Sequence, residues 1–210
     1  MKNILFLLCA SALIGVAGCS SSRVTDTWST PEQPSINYNK ILVVGLFDEK
    51  NRGLRNVMEK EVVEELRKKG FKAVSSYKEF GPSSFRNANP DAVINKVVSN
   101  KFDGVITIDL VDKENQKRYV QEPGYYTPGG WGYNPFRGWR YRPFGYYNYG
   151  DGHYENNTNY YFETNLYDVE GQKLVYSVQT KSYDPSSAQS MANDYSKSIV
   201  KSLQKSSIIN

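Results

Sequence analysis

Thiols and imidazoles are nearly absent. Two Cys and one His stand among 210 residues, which excludes a disulfide scaffold and any metal site built from several His or Cys ligands. Excess charge of one sign is also missing, since 26 Lys and Arg against 22 Asp and Glu leave a net +4. A field that small does not support nucleic-acid binding through a basic face. Nor is there a long hydrophobic run. Ile4 to Ile14 is the most apolar stretch, and it falls short of the ~20 residues that a bilayer-spanning helix needs. A hydrophobic content of 39% likewise excludes a polytopic membrane protein. Gly45 in VVGLFD has no GxGxxG or GK[ST] behind it, and no calcium-loop pattern occurs.

What is present begins with an address. Met1-Lys2-Asn3 gives a basic start, ILFLLCASALI an apolar core, and Gly15-Val16-Ala17-Gly18 the small residues before Cys19 and a polar serine run. That order predicts a secretory signal over residues 1–18. The stretch Val16-Ala17-Gly18-Cys19 resembles the lipobox of bacterial lipoproteins. The resemblance implies a diacylglycerol on the Cys19 thiol, cleavage before Cys19, and a further acyl group (palmitate-like) on its amine. Two or three chains hold a protein stably where one anchors only marginally. Ser20, in place of Asp, implies outer-membrane sorting, with the domain facing the periplasm. Cys9 lies inside the leader, so the mature chain has no second thiol for a disulfide or for thiol catalysis.

Residues 19–39 carry the lipidated N-terminus and a polar segment with two prolines and no hydrophobic period. Such composition predicts a flexible linker, averaging roughly 25 Å end to end over its length. Trp28 lies within it. Then KILVVGLF, Lys40 to Phe47, reads as a strand covered on both faces. Leu54, Val57, Met58, Val62 and Leu66 form the apolar stripe of a helix that Gly70 ends. Phe71 to Ser75 is a short strand. Asn89-Pro90 opens a second helix with Val93, Ile94, Val97 and Val98 on its inner face, and Phe102 to Val111 is the third strand.

Thr158 to Asp168 and Lys173 to Ser182 alternate as strands around the turn Val169-Glu170-Gly171-Gln172. Asp184-Pro185 predicts the start of a last helix, with Ala188, Met191, Ala192, Tyr195, Ile199 and Leu203 facing inward. The whole is an α/β (α+β) fold of order β-α-β-α-β-β-β-α, a mixed sheet with helices packed on it. One domain is expected over 40–118 and 158–206. The ILVVGL strand, the LYD turn, the KLVYS strand and the closing helix resemble the domain at the N-terminus of TolB-like proteins. That fold also occurs in curli-secretion lipoproteins and in lipoproteins that activate penicillin-binding proteins. The resemblance implies fold, and it implies no specific activity.

Between the third and fourth strands lies the feature that departs from that group, a Tyr/Gly/Trp-rich insert over 119–157. From Tyr119 to Phe162 there are 11 of the 17 Tyr and 8 of the 16 Gly. Its candidate contact residues are Tyr125, Tyr126, Trp131, Tyr133, Arg137, Trp139, Arg140, Tyr141, Arg142, Tyr146 and Tyr147. Tyr and Trp present rigid amphipathic area, and interleaved Arg adds stacking and anion pairing. Two readings stand side by side: a contact surface for an envelope protein, a glycan or the membrane interface, and an inert low-complexity loop.

Catalytic chemistry finds less support. His153 sits between Gly152 and Tyr154 with nothing in the sequence to fix its tautomer. Asp48, Glu49, Asp109, Asp112 and Glu163 are the carboxylates an acid–base site would draw on, and loop or strand-end solvation accounts for them as well. The expectation is therefore a non-catalytic envelope lipoprotein and binding module, without cofactor, metal or nucleic-acid partner. The alternatives are a self-associating subunit of a secretion or envelope assembly and, behind it, a cell-wall-acting enzyme.

Overall fold

Lys40–Leu46 (β2) alternates between two hydrophobic cores, which is why every residue from Ile41 to Val44 is apolar and buried. The first strand is Ser22–Ser29 (β1), ahead of it in the chain. The computed structural model describes residues 20–31, 38–85, 89–120, 125–127, 130–134, 138–142, 146–148 and 152–209. After β2 and a 3-10 turn at Glu49–Asn51 come helix α1 (Arg52–Lys68), strand β3 (Lys72–Ser75), helix α2 (Ser76–Phe80) and helix α3 (Pro90–Ser99). Strand β4 (Gly104–Val120) and the short strands β5 (Tyr125–Thr127), β6 (Gly130–Asn134), β7 (Gly138–Arg142) and β8 (Tyr146–Asn148) follow. Strands β9 (His153–Asp168) and β10 (Lys173–Tyr183) and helix α4 (Ala188–Lys205) complete the chain.

Among the described residues, one six-stranded mixed sheet has the order β1-β10-β9-β4-β2-β3. The five expected strands and the mixed pairing are present within it, with β3 and β4 each parallel to β2 and β9 antiparallel to β10. Parallel neighbours on both sides of β2 require crossovers on opposite faces. Accordingly Ile41 and Val43 pack with Met58 and Val62 of α1 and with Tyr195 and Ile199 of α4, whereas Leu42 and Val44 pack with Val97 of α3. Helix α1 ends where Gly70 takes φ +92 and Phe71 N–H reaches the Leu66 carbonyl at 3.2 Å, a Schellman stop that favours glycine. In the β9–β10 turn the Asp168 carboxylate accepts from Gly171 N–H at 2.7 Å, and a Cβ there would lie 2.6 Å from the same oxygen.

Three local expectations need correction. Ser22–Ser29, expected inside a flexible linker, pairs antiparallel with β10 from Ser22↔Ser182 to Ser29↔Tyr176. Only Ser22 of this strand is buried, so backbone pairing rather than apolar burial holds it in place. On α3, Val97 is buried but Ile94 and Val98 are exposed, because Val93 and Val97 make the contact with the sheet. Helix α4 begins at Ala188 with Ser187 accepting from Ser190 N–H at 3.0 Å. Pro185 lies before it, and Ala188 is exposed.

Candidate functional site

Asn115–Thr158 form a compact unit of their own. Its backbone is a set of nested antiparallel ladders. Thr158 donates to Asn115 at 3.0 Å and the Tyr119 and Tyr154 rings lie 5.1 Å apart, so the far parts of β4 and β9 run in opposite senses. Inside them β5 pairs with β8 through Tyr126↔Tyr147, and inside those β6 pairs with β7 through Trp131↔Tyr141 and Tyr133↔Trp139. All the pairs share a centre near residue 136, which is the pattern of one long hairpin. Gly152 serves the outer ladder, since a Cβ there would stand 2.7 Å from the Val120 carbonyl oxygen and 2.5 Å from the Tyr119 ring.

The inner register sorts the candidate residues. In β6–β7 Trp131 is registered with Tyr141 and Tyr133 with Trp139, while Arg140 and Arg142 are registered with Gly132 and Gly130. In β5–β8 Tyr126 is registered with Tyr147, Tyr125 with Asn148 and Tyr146 with Thr127. Arg137 and Cys19 lie outside the described residues. The alternation that carries these pairs is visible in WGYN and WRYR, where every second residue is aromatic.

His153 is the first residue of β9, with Nε2 3.6 Å from the Glu155 carboxylate. Asp48 and Glu163 both come within electrostatic reach of Asp109. Partial loss of hydration pushes the Asp109 carboxyl above the usual carboxylate range, the negative charges of Glu163 and Asp48 add to it, and the Leu110 backbone N–H opposes it. Among the described residues no group of three or more His, Cys, Asp or Glu has metal-binding geometry, and no helix is long and apolar enough to cross a membrane.

A buried polar cluster escaped the sequence reading. Glu59 of α1 is fully buried and accepts five hydrogen bonds. Its Oε1 takes Gly45 N–H (2.8 Å), Arg55 Nε (2.8 Å) and Ser76 Oγ (3.0 Å), and its Oε2 takes Ser75 Oγ and Tyr77 N–H at 2.7 Å each. Arg55 also donates to the Pro82 carbonyl at 3.0 Å and to Ser76 Oγ at 2.9 Å. Gly45 makes room for it, because a Cβ would lie 2.8 Å from the Arg55 Cγ. The spacing Arg55-x-x-x-Glu59 is an i,i+4 pair of the kind that usually decorates exposed helices, so burial gave no signal in the sequence. A separate groove of about 410 Å³ is walled by Val44, Leu46, Val93, Ile94, Val105 and Tyr167. Asp168 is the acidic group on its lining, and that carboxylate already holds Gly171 N–H.

No family model and no curated protein sequence matches the chain. Among solved structures, the PelC dodecamer of Paraburkholderia phytofirmans is similar at 14% identity and a TM-score of 0.44, over 85% of this chain and 94% of that one. Lipoprotein GNA1162 of Neisseria meningitidis is similar at 13% identity and 0.40, over 80% and 99%. A PDZ domain protein of Parabacteroides distasonis is similar at 13% and 0.41, over 94% of this chain but only 39% of that one.

Proposed function

We propose that this protein is a non-catalytic lipoprotein of the bacterial envelope, a TolB-N-terminal-like domain anchored through acylated Cys19 that offers the hairpin of residues 115–158 to a partner. The observation that carries the binding role is the β6–β7 register, which pairs Trp131 with Tyr141 and Tyr133 with Trp139, and strand alternation would bring these four rings to one face. Cross-strand aromatic pairs contribute roughly 0.2–1 kcal/mol each to a ladder, and an isolated hairpin is marginal in water. Rings therefore help to hold the arm, and the same flat face suits the apolar side of a sugar ring or a protein surface. Arg140 and Arg142 on the alternate set suit acidic groups of the partner.

Replacing the four rings with Thr and Val keeps β propensity while removing the face. Crosslinking and pull-down from intact envelopes should then lose the partner, glycan or protein, that the unaltered chain retains. Capture of the same partners by the ring-free variant refutes the reading. Cys19→Ala should abolish incorporation of labelled fatty acid, and unchanged labelling refutes the anchor. An assembly subunit is the second reading. It is favoured by β1, an edge strand with exposed Val24 and Trp28 and no partner on its outer side among the described residues. A sharp monomer mass in detergent would count against it.

A further inference from the structure

The fold begins almost at the acylation site. Ser21 N–H and Ser21 Oγ both reach the Asp194 carboxylate of α4 at 2.8 Å, and the Ser21 carbonyl accepts from Tyr183 N–H at 2.8 Å. The Ser22 carbonyl accepts from Ser198 Oγ at 3.1 Å, and Ser22 Oγ meets Ser182 Oγ inside the structure. Only Ser20 stands between Cys19 and these contacts. Two residues of extended chain reach at most about 7 Å, roughly the depth of one headgroup layer.

We infer that the domain lies flush on the membrane in a fixed orientation, with the β1 edge of the sheet and the flanking α4 against anionic lipid headgroups. This rests on the acylated Cys19 proposed above. This edge has the charge such a surface takes. Arg23 and Lys181 pair across β1 and β10 on the sheet face away from α4, because their neighbours Ser22 and Ser182 are buried on the α4 side. Lys197 and Lys201 stand exposed on α4, so basic groups flank the β1 edge from both faces. Lys201 also lines the groove between Val24, Thr27 and α4. Three acids, Asp26, Asp184 and Asp194, stand among five bases, Arg23, Lys181, Lys197, Lys201 and Lys205, so the balance at this edge is basic. Tyr183 lies beneath the Arg23 guanidinium at 4.7 Å, an aromatic and basic pair suited to a headgroup layer. A long tether would let the domain tumble; two residues do not.

The test uses the full lipidated chain in vesicles of phosphatidylethanolamine and phosphatidylglycerol. The mature chain has no other cysteine, so a thiol-linked fluorophore is placed by Asn193→Cys on α4, outside the basic groups, or by Lys72→Cys on β3, the opposite sheet edge. Five strand spacings separate the two edges, so a headgroup-attached quencher should act about threefold or more on the first probe relative to the second. Inserting a Gly/Ser segment of about 15 residues, averaging roughly 20 Å, between Ser20 and Ser21 should bring that ratio to about one. Arg23→Glu with Lys201→Glu should lower the ratio in phosphatidylglycerol vesicles. Protein that floats with the vesicles but quenches equally at both positions overturns the orientation alone. Protein that fails to float overturns the acylation, and the orientation with it.

Discussion

Removing the Glu59 carboxylate is the sharpest perturbation the fold offers. Glu59→Leu preserves approximate size on α1 and strands the Arg55 guanidinium, whose side chain is 6% exposed, without its counter-charge. It also deprives Gly45 N–H and Tyr77 N–H of their acceptor. Ser75 and Ser76 can turn their hydroxyls elsewhere; the two backbone donors cannot. Breaking one partner of a buried pair costs about 3–5 kcal/mol, and each stranded buried donor adds about 1–3 kcal/mol, with overlap between these figures. About 4 kcal/mol is therefore expected, a large share of the ~5–15 kcal/mol that holds a domain of ordinary stability. In urea unfolding followed by far-UV circular dichroism of the full chain in detergent, the midpoint should fall by about 2 M at an ordinary slope. The double variant Arg55→Met with Glu59→Leu removes both charges, and it should lose less than the sum of the two single losses. A loss below about 1 kcal/mol for Glu59→Leu refutes this account, as does strict additivity in the cycle.

Three further outcomes follow from named groups. Because the folded state raises the Asp109 carboxyl, the native protein binds the proton more tightly than the unfolded chain. Stability should thus fall as pH rises from the ordinary carboxylate range through the raised folded value, and Asp109→Asn should flatten that fall and be the more stable form at pH 7 in thermal melts. Tyr38 is buried, its hydroxyl has no hydrogen-bond partner, and burial followed by Asp168 and Asp103 pushes its ionisation upward. Tyr38→Phe should therefore be neutral or stabilising by up to ~1 kcal/mol in urea, and a loss of that size would show a missed partner. Gly152→Val should force the outer ladder apart at Tyr119 and the Val120 carbonyl, at about 1–3 kcal/mol. Proteolysis within 115–158 should accelerate while the melting of the six-stranded sheet stays put; equal cleavage rates would refute the close approach.

The six-stranded core was legible wherever burial wrote itself into residue type. ILVVG, within β2, is apolar throughout because the strand is enclosed on both faces there, and Met191, Ala192, Tyr195, Ile199 and Leu203 recur at helical spacing because α4 buries one stripe. Strand β1 was not legible because it buries almost nothing. SRVTDTWS is polar apart from the exposed Val24 and Trp28, and what fixes it is a backbone ladder to β10 with the long-range Ser21–Asp194 contact, neither of which has a local signature. The exposed positions on α3 misled for the opposite reason. Ile94 and Val98 have the right period for an inner face, but Val93 and Val97, one position back round the helix, make the contact with the sheet and leave them outside it.

The hairpin of 115–158 shows a further limit. Glycine at 130, 132 and 138 lowers strand propensity, and prolines at 128, 135 and 143 break any continuous period. A reading from propensity therefore finds a loop. Pairing depends instead on register about a centre near residue 136, which matches Tyr126 to Tyr147 and Trp131 to Tyr141. Registers of this kind are set by what each face must do. With glycine and arginine alternating against rings, a one-residue slip of β7 against β6 would set Trp131 opposite Arg140 or Arg142 and break both aromatic pairs. Ring identity and hairpin register are consequently one property. Single ring substitutions should loosen both together, so a partner lost through an unpaired register is separable from one lost through missing rings only when β-branched replacements keep the ladder closed.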